Sequence, residues 1–258
     1  MKQTTTKEKI AAKKKLTDNR AIMLLKDALH PLLNVIVSIY VPYKVLIEKN
    51  GDTKVGKPVI YAVNHFCFAD TPIMGMIVKN RAYMLIGKQR LGLSDWLYFQ
   101  LNGVIFVDRK DREDTLASKK AMEEYLTKGR SVIMFPEGTW NLSENLLMLP
   151  MKWGIVEIAE EAGVPIVPVM LDYDREKKEC VVRFGKKIFF DKNSDKALGI
   201  RVLRDALATM RYECMEHKGV YKRSDIDMLE ERKKLRYSLV EYPMIRWMYE
   251  QSCVFRQK

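Results

Sequence analysis

Residues 58–70 have the sequence PVIYAVNHFCFAD, and this stretch predicts how the centre of the chain folds. Its first six residues, 58–63, form an apolar run without a charge, which is typical of a strand buried on both faces. Asp70 is followed by Pro72 and by apolar residues, so we expect a helix to begin there with Asp70 as its N-cap. His65 then lies where the strand ends, at the edge where α/β sheets bind ligands.

His65 and Asp70 together have the residue types of an oriented general base. If the loop between them folds back, the carboxylate can fix the imidazole tautomer and stabilise the imidazolium that forms when a proton is taken. The pair by itself is more typical of a structural histidine and a plain helix cap. Its function therefore has to be judged from residues further along the chain.

The composition is that of a globular protein with a sizeable core, since 47% of the 258 residues are hydrophobic and 10% are aromatic. The net charge of +12 suits an anionic partner such as nucleic acid, an acidic membrane face or a phosphorylated substrate. The four cysteines lack pair spacing and the three histidines lie far apart. We therefore expect no disulfide framework, no metal site and a reducing compartment. No secretory signal is expected, because basic and polar residues fill the N-terminus and no cleavage-type motif of small residues follows the apolar run.

The N-terminal part of the chain, residues 1–46, differs from the rest in charge and hydropathy. Residues 1–26 carry eight lysines and arginines against two acidic residues, which is half of the net charge. Residues 32–41 are mostly apolar, but a bilayer span needs roughly 20 such residues. We interpret residues 20–46 as two helices that lie on or dip into an anionic membrane face, behind a basic arm. Two helices packed on the protein, with a solvated basic tail, are an equal alternative.

From residue 44 onward, strand patterns alternate with helix patterns, which predicts an α/β fold with a mostly parallel central sheet covered by helices. Strands are predicted over 44–49, 58–63, 83–86, 104–107, 131–134 and 165–169, with 181–184 and 188–190 as late, antiparallel candidates. Helices are predicted over 71–79, 94–101, 112–128, 153–162 and 195–216. The central domain is placed at 47–221, between an N-terminal segment, 1–46, and a C-terminal segment, 222–258.

The C-terminal segment is predicted to be a charge-rich helix that Pro243 ends, followed by aromatic residues interleaved with arginines. Aromatic rings among cations suit a membrane interface. Packing on the core or on a second subunit is an equal alternative for this helical tail.

Three further stretches place distinctive residues at the ends of predicted strands. Arg109 directly follows the strand 104–107, where its planar guanidinium can bind a phosphate or pair with a nearby carboxylate. Residues 135–139, FPEGT, predict a tight turn whose carboxylate and N–H groups can bind a hydroxyl, a phosphate or the main chain of the next loop. Residues 164–169, VPIVPV, contain two prolines, which are unusual in a central strand and favour an edge or the wall of an apolar channel.

Together with residues 64–70, these stretches resemble the motifs of the glycerolipid acyltransferases, in particular the 1-acylglycerol-3-phosphate O-acyltransferases, or lysophosphatidate acyltransferases. The family motifs N-H-x-x-x-x-D, D/N-R, F-P-E-G-T and V-P-[IV]-[VI]-P-[VC] are matched, in order and spacing, by Asn64-His65-Asp70, Asp108-Arg109, Phe135 to Thr139 and Val164 to Val169. Gly87-Lys88 and Lys152-Trp153-Gly154 resemble two lysine-containing segments of the family. The resemblance covers roughly residues 30–190.

The resemblance implies an enzyme that transfers an acyl group from an acyl thioester to the free hydroxyl of a lysophospholipid, first of all 1-acylglycerol-3-phosphate, giving phosphatidic acid. It implies that His65 is the base, that Asp70 orients it, and that the substrate is bound by Asn64, Lys88, Arg109, Glu137, Gly138, Thr139 and Lys152. Arg109, with Lys88 as a second cation, would hold the acceptor's phosphate.

No cofactor and no metal are expected beyond the acyl donor, which is acyl-CoA or acyl-acyl carrier protein as a co-substrate. The basic surface would suit the phosphates of coenzyme A or an acidic acyl carrier protein. The expected location is membrane-associated, on the cytoplasmic face, with an anionic lipid surface as partner.

Two departures from the family pattern change the charge near the acceptor. Trp140-Asn141 follow FPEGT where the family often has Arg-Ser, and Gln89-Arg90 follow Lys88 where an acidic residue is common. A different lysolipid acceptor is therefore an alternative, as is a thioester or ester hydrolase that uses the same pair on water. A non-enzymatic membrane module would not need the motif residues together, and no nucleic-acid motif accompanies the basic charge, so nucleic acid is not an expected partner.

Overall fold

The strands and helices of the central region follow the predicted alternation. The structure, a computed structural model, describes residues 6–15, 20–48, 58–78, 82–88, 92, 99, 103–141, 147–174, 176–191, 195–217, 227 and 230. Within this part of the chain the strands are Lys44–Ile47 (β1), Ile60–Val63 (β2), Tyr83–Gly87 (β3), Val104–Val107 (β4), Val132–Met134 (β5), Ile166–Asp174 (β6) and Glu179–Phe184 (β7). The helices are Thr6–Lys15 (α1), Arg20–Tyr40 (α2), Asp70–Ile77 (α3), Arg112–Thr127 (α4), Gly154–Ala162 (α5) and Lys196–His217 (α6).

One sheet contains all seven strands, in the order β1-β7-β6-β2-β5-β3-β4. Every neighbouring pair is parallel except β6 and β7, which are antiparallel. The predicted mostly parallel sheet is thus confirmed, and so is the antiparallel strand predicted near residues 181–184. Because β2 to β6 run the same way, the carboxyl ends of β2, β4 and β5, which the first three motifs follow, meet at one edge of the sheet, whereas the fourth motif leads into β6.

The core explains why β2, at the centre of the sheet, carries no charge. Residues of β2 alternate between two apolar clusters, with Tyr61 and Val63 in one and Ile60 and Ala62 in the other. All four are buried, since helices or loops cover both faces of the sheet at this strand.

The N-terminal helices differ from the prediction. Residues 20–46 form one helix, α2, and then enter β1, instead of forming two helices. Pro31 lies inside α2 and does not end it, because a proline removes only one of the many backbone hydrogen bonds of a 21-residue helix. β1 also crosses the predicted boundary between residues 46 and 47, while the three-part division of the chain stays a prediction.

Two lysines of the predicted basic arm are engaged with the protein. Lys9 forms an ion pair with Asp111, the N-cap of α4. The ammonium of Lys13 lies 3.0 Å from the Asp114 carboxylate and donates to the hydroxyl of Ser118 at 2.7 Å and to the carbonyl of Phe106 at 2.6 Å. α1 thus packs its cations against the acidic first turn of α4, so these two charges are not available to a bilayer as the arm hypothesis requires.

The outer face of α2 is apolar and exposed. Among the helices of the described ranges, none combines the length and the hydropathy needed to cross a membrane. From Leu32 onward the exposed apolar side chains are three or four residues apart, as on one face of a helix. The exposed apolar side chains of α2 include Leu24, Leu25, Leu32, Val35, Ile36 and Ile39.

The fourth motif lies in the interior of the sheet, so the predicted edge position is wrong. β6 has β7 on one side and β2 on the other. Pro165 precedes the strand, and Pro168 precedes the ladder with β7, which runs from Val169 to Asp174. The carbonyl of Pro168 accepts from the N–H of Gly185 at 2.8 Å, just beyond the end of β7. Both prolines, which have no N–H group to donate, thus precede the antiparallel ladder between β6 and β7. At these positions a proline removes no hydrogen bond of that ladder.

The remaining expectations concern residues outside the description. The predicted helix over 94–101 and the turn at 50–52 lie there, apart from residue 99. The C-terminal helical tail, 222–258, also lies outside the described residues, apart from residues 227 and 230.

Candidate active site

The loop after β2 brings the predicted base and its carboxylate together. Asp70 is the first residue of α3, and Ala69 occupies the N-cap position without a side-chain cap. The Asp70 carboxylate instead turns back over the loop, so the predicted N-cap role is wrong. One of its oxygens, Oδ2, accepts from the main-chain N–H groups of Phe66 and Cys67 at 2.6 and 2.9 Å. The same oxygen lies 2.8 Å from Nδ1 of His65.

This contact fixes the roles of the two imidazole nitrogens. A carboxylate oxygen only accepts hydrogen bonds, so Nδ1 of His65 carries the proton and donates it to Asp70. In the neutral ring, Nε2 then holds the lone pair that can accept a proton from another molecule. Asp70 is fully buried, whereas the His65 side chain is 17% exposed, so the pair presents the imidazole outward.

The turn after β5 supplies two aromatic side chains that pack against the His65 imidazole. The ring of Phe135 stacks on the His65 ring with a centroid separation of 4.2 Å and an interplanar angle of 24°. Trp140, one of the two departures from the family pattern, meets the His65 ring edge-on at 6.0 Å. These aromatic contacts restrict the rotation of the ring and give the base apolar surroundings.

The same turn also holds the main chain of His65. Glu137 is buried, and one of its carboxylate oxygens accepts from the N–H of His65 at 3.3 Å while the other accepts from the N–H of Leu149 at 2.7 Å. The N–H of Asn141 donates to the carbonyl of His65 at 2.9 Å. The sequence left open whether the FPEGT turn binds a hydroxyl, a phosphate or the main chain of the next loop. In the structure, the Glu137 carboxylate binds main-chain N–H groups.

Asn64 lies behind the site. Its side chain is fully buried; its amide donates to the carbonyl of Leu171 at 3.0 Å, and its oxygen accepts from the Leu171 N–H at 2.7 Å. These two bonds tie the end of β2 to β6 at the point where the loop that carries His65 begins.

A cationic corner forms next to this loop, at the ends of β3 and β4. The Arg109 guanidinium donates to the carbonyl of Gly138 and lies against Gly87, where an added Cβ would approach its Cζ to 3.6 Å. The ammonium of Lys88 is 3.9 Å from the Asp108 carboxylate, and its side chain is well exposed. Since Gly138 follows β5, the neighbour of β2, the guanidinium reaches back across β3 toward His65.

Two more predicted site residues border the same turn. Thr139 is half-buried between Gly138 and Trp140, and Gly138 has a φ of +74°, a conformation that favours glycine. Lys152 is exposed, and its N–H donates to the carbonyl of Pro136 at 3.2 Å. In the part of the chain that the structure describes, no group of three or more His, Cys, Asp or Glu side chains is arranged to hold a metal ion.

Sequence reasoning did not find two residues that complete this loop. Tyr173, near the end of β6, donates its hydroxyl to Oδ1 of Asp70 at 2.5 Å. Cys67, inside the first motif, places its sulfur 3.7 Å from the same oxygen. Burial and the charge of Asp70 raise the pKa of both side chains well above their usual range, so both keep their protons. No local pattern marks Tyr173, because it reaches Asp70 only through the pairing of β6 with β2.

Comparisons with known proteins place this fold among the acyltransferases. The family model for "Acyltransferase" matches residues 44–172, half of the chain. A 1-acyl-sn-glycerol-3-phosphate acyltransferase of Chlamydomonas reinhardtii is 32% identical over 133 residues, covering 50% of this chain and 39% of that protein. A lyso-ornithine lipid O-acyltransferase of Pseudomonas aeruginosa is 28% identical over 120 residues, covering 46% of this chain and 45% of that protein. The chain thus spans less than half the length of these curated relatives.

A solved structure shares the fold. The crystal structure of the 1-acyl-sn-glycerophosphate (LPA) acyltransferase PlsC from Thermotoga maritima superposes with a TM-score of 0.59 and 16% sequence identity. The match covers 81% of this chain and 88% of that one. At this level of identity the likeness concerns the fold: an α/β domain with a mostly parallel central sheet.

Replacing Glu137 with glutamine tests the role of its buried carboxylate. A glutamine has one oxygen for two main-chain donors, so its amide group must face the N–H of either His65 or Leu149. We expect Glu137→Gln to lower the free energy of unfolding by about 1–3 kcal/mol, measured by urea denaturation. Glu176→Gln, at an exposed turn position, is the matched control and should change stability by less than about 0.5 kcal/mol. Equal stability of both variants would contradict the bridging role of Glu137.

Proposed function

The chain belongs to the acyltransferase family, and we propose that it transfers an acyl group from an acyl thioester to the free hydroxyl of 1-acylglycerol-3-phosphate, giving phosphatidic acid. The observation that carries the proposal is the contact of 2.8 Å between Nδ1 of His65 and Asp70 at the carboxyl end of β2. The proposed acceptor is that of the Chlamydomonas relative, a 1-acyl-sn-glycerol-3-phosphate acyltransferase.

In the proposed reaction, Nε2 of His65 removes the proton from the acceptor hydroxyl as its oxygen attacks the thioester carbonyl. Asp70 holds the ring and offsets the charge of the imidazolium. The tetrahedral intermediate then collapses, the carbon–sulfur bond breaks, and the thiolate takes the proton back from His65. No acyl-enzyme forms. General-base assistance of this kind contributes about 10²–10⁴-fold to the rate.

The cationic corner is the proposed site of the acceptor's phosphate. The guanidinium of Arg109 is fixed against Gly87 and Gly138, which orients its planar donors, and a phosphate takes two parallel bonds from such a fork. The exposed ammonium of Lys88 would add a second positive charge. Thr139 and Lys152, which border the same turn, are proposed to contact the substrate, whereas Asn64 and Glu137 are proposed to act by holding the main chain.

The walls around the base favour an acyl transfer over hydrolysis. Phe135 and Trp140 pack against the imidazole and present apolar surface where a fatty chain would lie. A hydrolase would need an ordered water at Nε2 and no pocket for a second lipid. Acyl-CoA or acyl-acyl carrier protein is the proposed donor, and the net charge of +12 suits the phosphates of the former or the acidic surface of the latter.

A second acceptor class is favoured by the residue after the FPEGT turn. Trp140 places an indole beside the base where a cation would otherwise face the acceptor. The Pseudomonas relative is a lyso-ornithine lipid O-acyltransferase, so a lysolipid other than 1-acylglycerol-3-phosphate is an acceptor among the relatives of this chain. An acceptor panel must therefore contain lysolipids with and without a phosphate.

The exposed face of α2 is the proposed membrane contact. The lysolipid and its product are membrane components, and Leu32, Val35 and Ile39 lie on one stripe of the helix with exposures of 58%, 60% and 76%. Such a helix can lie in the plane of the interface with its apolar side chains among the acyl chains. We place the enzyme on the cytoplasmic face, where basic residues meet anionic headgroups.

Replacing His65 with alanine tests the base. We expect His65→Ala and Asp70→Asn each to lower acyl transfer at least about 100-fold, because the proton acceptor or its orientation is lost. The product of acyl-CoA and a lysolipid would be read by mass spectrometry, and circular dichroism would verify the fold. His30→Ala, on α2, is the matched control and should transfer normally. A near-normal rate in His65→Ala would show that another group removes the proton.

Replacing Arg109 with alanine tests the phosphate site. We expect KM for lysophosphatidate to rise by about 10- to 100-fold, with a smaller effect on kcat, because a charge-assisted contact made in the ground state is lost. Lys110→Ala, at the next exposed position, is the control. The same lysolipid without its phosphate should show little difference between the wild-type protein and Arg109→Ala. An equal effect on both acceptors would contradict the phosphate role.

Polar substitution on α2 tests the membrane contact. We expect Leu32→Asn, Val35→Asn and Ile39→Asn together to reduce sedimentation with anionic liposomes more than tenfold, because burial of each side chain contributes about 1.5–3 kcal/mol. Leu198→Asn with Val202→Asn, on the exposed face of α6, is the matched control. Unchanged liposome binding of the triple variant would contradict the proposal. If the triple variant forms smaller oligomers than the wild-type protein in the absence of lipid, the α2 face is instead a contact with a second copy of the chain.

A further inference from the structure

Tyr173 meets the proposed catalytic carboxylate from the side opposite to the imidazole. It lies near the carboxyl end of β6, which runs beside β2, and its hydroxyl donates to Oδ1 of Asp70 at 2.5 Å. Its ring is held in turn by an edge contact with Tyr43, at a centroid distance of 4.8 Å, just before β1. The position of this hydroxyl is therefore set by β6 and by the residue that precedes β1.

The two oxygens of Asp70 have different partners. Oδ2 accepts from His65 and from the N–H groups of Phe66 and Cys67, all on the loop itself. Oδ1 accepts from the Tyr173 hydroxyl, with the Cys67 thiol at 3.7 Å. Tyr173 is thus the partner that ties the carboxylate to the rigid sheet, whereas the bonds at Oδ2 tie it to the loop. Without that bond, the plane of the carboxylate can rotate, and the direction from Oδ2 to Nδ1 changes with it.

We propose that Tyr173 is a positioning residue for acyl transfer, whose hydroxyl fixes the plane of the Asp70 carboxylate so that Oδ2 stays aimed at Nδ1 of His65. The proposal rests on the proposed function, since Tyr173 acts through His65 and does not touch the substrate. The buried hydroxyl keeps its proton because burial and the charge of Asp70 raise the pKa of Tyr173 well above its usual range. It therefore remains a donor over the whole working range of pH.

The first test compares Tyr173→Phe with Tyr125→Phe. Both remove one hydroxyl from a tyrosine ring packed against another tyrosine, and Tyr125 stacks on Tyr83 at 4.0 Å, in the core cluster that does not contain the motif loop. Loss of a hydrogen bond to a charged group changes a rate or an equilibrium constant by about tenfold or more. We expect kcat of Tyr173→Phe to fall about tenfold, with KM for both substrates within about twofold of the wild-type value. Tyr125→Phe should retain the wild-type kcat.

The second test observes the His65 imidazole by NMR spectroscopy and does not depend on catalytic turnover. The chain has three histidines, so protein labelled with ¹⁵N-histidine gives three ring systems, and His65→Ala identifies that of His65. In the full-length wild-type protein we expect the proton on Nδ1 of His65 to be protected from exchange with water by its bond to Asp70. In Tyr173→Phe we expect that proton to exchange faster and the ring resonances to move, whereas Tyr125→Phe leaves them in place.

The two readouts separate the inference from the proposed function. If His65→Ala transfers acyl groups normally, the proposed base is wrong. The His65 ring resonances then decide by themselves whether Tyr173 positions Asp70 against His65. If His65→Ala is inactive, an unchanged kcat together with unchanged His65 resonances in Tyr173→Phe overturns the inference. A lower melting temperature with both readouts unchanged would assign Tyr173 a structural role and overturn it as well.

Discussion

The site depends on one buried carboxylate that bonds back to the loop preceding it. Asp70 accepts from the N–H groups three and four residues earlier and from the ring five residues earlier. This geometry explains why four residues separate the histidine from the aspartate in the first motif: a shorter loop could not turn, and a longer one would move the N–H groups away from Oδ2. The carboxylate has no exposure, so these donors replace water, and a buried charge without them would be strongly unfavourable. The bonds that close the loop are thus the bonds that orient the base.

The other motifs support this loop from neighbouring strands. The turn after β5 holds both main-chain groups of His65, through Glu137 and Asn141, and covers its ring with Phe135. Arg109, two strands further along the sheet, reaches back to the same turn at Gly138. A parallel sheet makes this possible because it brings the carboxyl ends of strands that are distant in sequence to one edge. The site therefore combines rigid strand ends with short loops, which suits a reaction in which geometry supplies most of the rate.

Much of the fold followed from the sequence because β2 and β5, at the centre of the sheet, are buried and carry no charge over their whole length. The His65–Asp70 contact and the turn at 135–139 were also foreseen, since both depend on local spacing. The prolines of the fourth motif were misread because pattern alone does not reveal where an antiparallel ladder begins. The contacts of Lys9 and Lys13 with α4 were not foreseen, because the acidic first turn of α4 is about a hundred residues away in sequence. Tyr173 was missed for the same reason: its contact with Asp70 exists only through the pairing of two strands.

Trp140 meets the proposed base edge-on, and the N–H of Asn141 donates to the main chain of the same histidine. In the proposed complex, the acceptor's hydroxyl meets Nε2 of His65 while its headgroup lies toward the cationic corner. A crystal structure of the protein with lysophosphatidate bound would test this arrangement. We expect the free hydroxyl at about 2.6–3.2 Å from Nε2 and the phosphate on the Arg109 guanidinium. A hydroxyl on the far side of the ring, or a phosphate bound away from Arg109, would contradict the proposed acyl transfer.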